Sequence, residues 1–62
     1  MKTYFMNHSY IVIFSHICMI ELYNRKIHFT GIESVLHLQY SDFNQFLNEY
    51  KKWLIESEGE NQ

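Results

Sequence analysis

The chain has no proline, one cysteine and two glycines in 62 residues. Without proline and with glycine only at 31 and 59, it holds no glycine-rich phosphate loop, no flexible linker and no repeat or low-complexity segment. The lone Cys18 has no partner for an internal disulfide, and no cysteine pair has metal spacing, so the expected compartment is a reducing one, the cytoplasm. Charge is equally sparse. Five basic residues against seven acidic ones leave a net −2, and the bases are split between Lys2, Arg25-Lys26 and Lys51-Lys52. No element carries a basic stripe, so nucleic acid is not expected as a direct ligand. A long apolar run is missing too. The opening "MKTYFMNHSYIVIFSHICMI" is interrupted by Asn7, His8, Ser9, Ser15 and His16, short of the ~20 apolar residues that a bilayer crossing needs. It also lacks the clean apolar centre and small-x-small cleavage site of a signal peptide, so no membrane partner is expected.

What the chain has in quantity is large apolar side chains. Hydrophobic residues make up 47%, with five Phe, five Tyr and one Trp. A chain of this size hides only about 60% of the surface that its unfolded form exposes, so one small core cannot enclose them all. One domain over residues 1–62 is the expected organisation, with some apolar groups left to face a partner.

The pattern divides into a β half and an α half. From Tyr10 to Tyr23 the even positions carry Tyr10, Val12, Phe14, His16, Cys18, Ile20 and Leu22, and the odd ones Ile11, Ile13, Ser15, Ile17, Met19 and Glu21. Both faces of such a strand are largely apolar. "YNRK" at 23–26 is the polar tetrad that can reverse the chain into Ile27-His28-Phe29, with Asn24 suited to a positive φ. A further strand is expected over Val35 to Tyr40 after Gly31. Phe43, Phe46, Leu47, Tyr50, Trp53 and Leu54 then follow the i, i+3, i+4, i+7 rule of an amphipathic helix, expected over about 42–56. Ser41 or Asp42 would cap it, and Gln45, three residues after Asp42, completes a capping-box pattern. The acids from Glu56 onward read as a frayed, solvated tail over 56–62. The expected fold is thus α+β: a small antiparallel sheet covered by one C-terminal helix. A single helix covers one sheet face, so the second face predicts a homodimer, with the long strand or the helix at its interface.

Few residues suggest chemistry. His16-x-Cys18 on one strand face, with His28 on a neighbour, matches no zinc motif, so neither metal nor cofactor is expected. A Cys18-His16 nucleophile lacks any accompanying oxyanion-hole loop, and an enzyme is not expected. Lys51 and Lys52 beside Trp53 read as a solvated helix face, and the aromatic stripe as core.

The remaining feature is "GIESVLHLQYSDF" at 31–43, in which an acid and a hydroxyl stand at the mouth of an apolar run. Glu33 and Ser34 are either the polar residues of a connection or a surface in which a carboxylate stands in for a phosphate. Here the chain resembles the phage-encoded inhibitors of uracil-DNA glycosylase. One branch carries a Glu-Ser pair, an Ile-Leu-Met-Leu run and an acidic helix; this chain carries Glu33-Ser34, Val35-Leu36-His37-Leu38 and a helix start at Asp42. A second, shorter, dimeric branch is similar in layout, with counterparts of Ser9-Tyr10, Thr30-Gly31 and Ser41-Asp42-Phe43 ahead of a terminal helix. The resemblance implies DNA mimicry against the host enzyme: an acidic edge on its DNA-backbone site and an apolar pocket for the side chain it inserts into DNA. Glu33 would then be the phosphate mimic and Ser34 its hydrogen-bonding neighbour. Val35, Leu36 and Leu38 would lie beside the pocket, with Asp42 also on the partner-binding surface. The alternative is a small dimeric phage-type interaction protein that blocks another host or defence complex through its aromatic surface.

Overall fold

A computed structural model describes residues 2–60. In chain order it contains β1 (Tyr4–Met6), β2 (Ile11–Ile13), a 3-10 turn (Phe14–His16), β3 (Ile17–Glu21), β4 (Lys26–Phe29), β5 (Val35–His37) and α1 (Tyr40–Glu60). The fold is α+β, with every strand pairing antiparallel to a sequence neighbour. There are two small sheets, β1-β2 and β3-β4-β5.

The single long strand expected over Tyr10 to Tyr23 is broken at Phe14–His16. The break is where the chain leaves one sheet for the other. The Phe14 amide still donates to the Thr3 carbonyl of the first hairpin (3.1 Å), while the His16 carbonyl already accepts from the Thr30 amide of the second sheet (2.9 Å). Pure alternation cannot reveal such a corner, because apolar residues stand on both faces. Its driving force is burial: Phe14 is fully enclosed, with Phe46 at 6.1 Å, Tyr50 at 5.4 Å and Trp53 at 5.8 Å between ring centroids. Each tilted aromatic contact of this kind contributes about 0.5–1.5 kcal/mol beyond its buried area.

A second irregularity follows at Cys18. Ile17 pairs with Phe29 but Met19 pairs with His28, so Cys18 is the extra residue of a β-bulge. The bulge shifts the side-chain parity, and Ile17 and Ile20, three apart, both pack against the core. The core joins Phe5 and Val12 from the first hairpin, Phe14, Ile27, Leu38, Phe43 and Phe46. Leu36, Leu47, Tyr50 and Trp53 pack around it.

The β3-β4 connection corrects an expectation. Arg25, not Asn24, takes the positive φ (55°), while the Asn24 amide side chain donates to Glu21 Oε1 at 2.9 Å. A non-glycine residue in this region costs roughly 1 kcal/mol or more. Two bonds to Leu38 offset that cost: the Arg25 carbonyl accepts from the Leu38 amide (3.2 Å) and Arg25 Nε donates to the Leu38 carbonyl (3.3 Å).

The helix is longer than its apolar stripe at both ends. It begins at Tyr40, so β5 stops at His37, and the Gln39 carbonyl accepts the Phe43 amide at 2.8 Å. Asp42 and Gln45 therefore do not form a capping box. Asp42 sits in the first turn, where its charge suits the helix dipole, and accepts from Asn7 Nδ2 at 3.0 Å; Gln45 donates to Glu49 Oε2 at 3.1 Å. At the other end the segment from Glu56 to Glu60 is helical, and residues 61–62 of the expected tail lie outside the described residues. Leu54, placed in the core stripe by spacing, is exposed. Lys2 ties the N-terminus to the helix through a 2.8 Å ion pair with Glu49, its ammonium also lying over the Tyr4 ring.

The helix covers one face of each sheet and leaves the other open. On the first hairpin Tyr4, Met6, Ile11 and Ile13 all face outward. On the second sheet the outer rows are Met19, His28 and Val35, then Glu21, Lys26 and His37.

Phe46, fully enclosed under four aromatic neighbours, carries a large share of the stability. Phe46→Ala will cost about 3–5 kcal/mol in chemical denaturation, and Lys52→Ala less than about 0.5 kcal/mol; equal effects would refute the assigned face. Acid will destabilise the fold through two carboxylates. The His28 hydrogen bond, with that of Asn24, holds Glu21 below the ordinary value of 4.5; at Glu49 burial pushes upward, but the bonds from Lys2 and Gln45 outweigh it and leave the carboxyl below 4.5. A folded-state value below the unfolded one means a contribution that is whole above pH 4.5 and is lost as pH falls through the lowered values. Thermal melts from about pH 5 to 3 should therefore fall less steeply for Glu21→Gln and Glu49→Gln than for the native chain.

Candidate functional site

The connection from β4 to β5 is built by a tight turn. The Ile32 amide donates to the Phe29 carbonyl at 3.3 Å, and Gly31 between them takes φ 76°. A side chain at 31 would meet no atom within 4 Å, so glycine is needed there for its backbone freedom and not for space. The turn turns the chain outward, and Ile32, Glu33 and Ser34 are all exposed. Among the described residues no hydrogen bond or ion pair engages the Glu33 carboxylate. Val35 follows on the outer sheet face, opposite His28, and is 42% exposed.

Of the six residues singled out in the sequence, Glu33, Ser34 and Val35 come together at one exposed end of β5. Leu36 and Leu38 do not join them. Leu36 pairs with Ile27 on the helix-facing side and Leu38 is 2% exposed, so both belong to the core. The alternation of "VLHL" carries this information: odd positions face out, even ones in. Asp42 lies beyond the opposite end of β5, bound to Asn7.

Asn7 is the organising residue that the sequence reading missed. Its Oδ1 accepts from the amides of Ser9 (2.8 Å) and Tyr10 (2.7 Å), its own amide donates to the Tyr10 carbonyl (3.0 Å), and its Nδ2 reaches Asp42. The signal was an asparagine two residues ahead of a serine, ordinary Asx-turn chemistry. Around it a cleft of about 320 Å³ opens between the first hairpin's tip and His37, Gln39 and Asp42. Its walls are polar, and it offers no enclosed apolar slot.

The outer face of the second sheet holds the closest polar pair, His28 Nε2 at 2.6 Å from Glu21 Oε2. His16 lies in the 3-10 turn and Cys18 in the bulge, both exposed, which separates the His-x-Cys pair from the geometry of one strand face. Among the described residues no three His, Cys, Asp or Glu side chains converge as a metal site. No helix among the described residues is long and apolar enough to cross a membrane. Comparison of the chain with protein-family models, curated proteins and solved structures finds no match in any of the three.

Proposed function

We propose that this chain works by binding another protein and is not an enzyme. The observation that carries the reading is the exposed Ile32-Glu33-Ser34-Val35 segment, in which a carboxylate without a partner among the described residues lies between two exposed apolar side chains. An exposed carboxylate in this setting is open to an outside cation or hydrogen-bond donor, and a flanking isoleucine and valine exclude water once that group arrives.

The partner that the Glu-Ser resemblance favours is uracil-DNA glycosylase, inhibited by mimicry of DNA. Glu33 takes the place of a backbone phosphate and Ser34 hydrogen-bonds beside it. With Leu36 and Leu38 committed to the core, the apolar part of the contact falls to Ile32 and Val35. The second reading rests on the open row of Tyr4, Met6, Ile11 and Ile13, which suits an interaction protein that engages some other complex.

A uracil-excision assay with the purified chain separates the two. Inhibition is expected, and Glu33→Gln, which keeps shape but removes charge, should weaken it by roughly 2–5 kcal/mol with no change in melting temperature. Added salt should slow association of the native chain more than that of the variant, because steering scales with the charge removed. No inhibition at large molar excess rejects the glycosylase and leaves the second reading.

A further inference from the structure

A groove of about 330 Å³ runs along the first half of α1, walled on one side by Leu22, Tyr23 and Arg25 of the β3-β4 turn and on the other by Tyr40, Leu47 and Lys51 of the helix. Positions 40, 47 and 51 fall on one helical face, so this wall extends for about 16 Å at 1.5 Å per residue. Leu47, half-buried against the core, forms the floor, while Leu22, Tyr23 and Tyr40 stand open at 64%, 94% and 70% exposure. An open trough of this form suits a length of chain better than a small molecule, whose sites enclose it.

The charge of the groove is one-sided. Arg25 and Lys51 line it and no carboxylate does, in a chain whose net charge is −2. Among the described residues neither cation is in an ion pair. The cleft beside Trp53 differs, because there Lys2 and Lys52 stand with Glu49 and Glu56 and opposite charges balance within the wall. Arg25 is also held in place. Its carbonyl and its Nε are both bound to Leu38, and its two Nη groups have no hydrogen-bond partner among the described residues. A guanidinium anchored in this way presents its fork end-on to a carboxylate with little further loss of side-chain freedom.

We infer that this groove docks an acidic amphipathic segment of a partner protein, with apolar side chains seated on Leu47 between the tyrosines and carboxylates placed on Arg25 and Lys51. Tyrosine and arginine are among the side chains that most often dominate a protein interface, and here both stand around an aliphatic floor. A nucleic acid strand fits the same wall poorly: it brings a phosphate at every nucleotide, for which two cations are too few, and leaves the floor unmatched. The inference rests on the reading that this chain works by binding another protein, but not on the glycosylase, since the groove lies at one end of β4 and Glu33 follows the other.

Fluorescence anisotropy with the full chain tests it. The probe is a labelled, end-capped peptide of about four helical turns with leucine and phenylalanine at i, i+3, i+4 and i+7 and glutamate elsewhere. The native chain should bind it, and Tyr23→Ser and Lys51→Glu, both at exposed positions, should each raise the dissociation constant about fivefold or more, with circular dichroism confirming their fold. Serine in place of the probe's apolar residues should weaken binding to a similar extent. Glutamine in place of its glutamates should do the same, and added salt should weaken the glutamate probe more than the glutamine one. Ile11→Ser and Glu33→Gln should leave probe binding unchanged, while Tyr23→Ser and Lys51→Glu leave inhibition of uracil excision unchanged, so the two readings fail separately. No binding by the native chain at the highest probe concentration overturns the inference. So does binding that Tyr23→Ser and Lys51→Glu leave intact, or tighter binding of a single-stranded oligothymidine than of the peptide.

Discussion

Everything in this fold depends on Phe14 reaching the helix. An isolated two-stranded hairpin such as β1-β2 is at best marginally stable in water, and among the described residues α1 is the layer that both small sheets pack against. The 3-10 turn at Phe14–His16 lets one side chain leave the line of the strand and insert among Phe46, Tyr50 and Trp53. Residues of both sheets pack into the core that this insertion joins. Phe5 enters the same cluster from the first hairpin, edge-on to Phe46 at 5.8 Å, and Ile27 and Leu38 close it from the second sheet.

The remaining irregularities serve that packing. The bulge at Cys18 restores the inward parity of Ile20 after the corner, so the second sheet presents Ile17, Ile20, Ile27 and Leu36 to one side. Arg25 accepts an unfavourable backbone conformation and is held there by Leu38, a core residue next to the helix start. Asn7 closes the first hairpin and, through Asp42, fastens its tip to the first turn of α1. Polar bonds thus hold the ends where the aromatic cluster does not reach.

How much of this was legible varies with the physical signal. The helix was readable because Phe43, Phe46, Leu47, Tyr50 and Trp53 repeat at helical spacing, and the second hairpin because "YNRK" is polar between apolar runs. The corner at Phe14 was not, since a strand with two apolar faces looks the same straight or bent. Helix ends were blurred because Tyr40, Glu56 and Glu58, all exposed, belong to α1 without contributing to its buried stripe. At the candidate site, Glu33 and Ser34 were recognisable as surface residues by their chemistry. The inward placement of Leu36 and Leu38 was readable from alternation, but an apolar-pocket reading of the same residues competes with it, and only the core packing decides between them.

The strand order has a kinetic consequence. Each strand pairs with the strand next to it in sequence, and the longest step within either sheet is a short turn or loop. Hairpins of this kind close on the microsecond scale, about 1–10 μs, and helices faster still. What is left for the slow step is a single long-range closure, the docking of α1 onto Phe5 and Phe14, with the chain's entropy loss concentrated there. A chain arranged in this way searches few alternative pairings before its core forms, which places it toward the fast end of folding rates for its size.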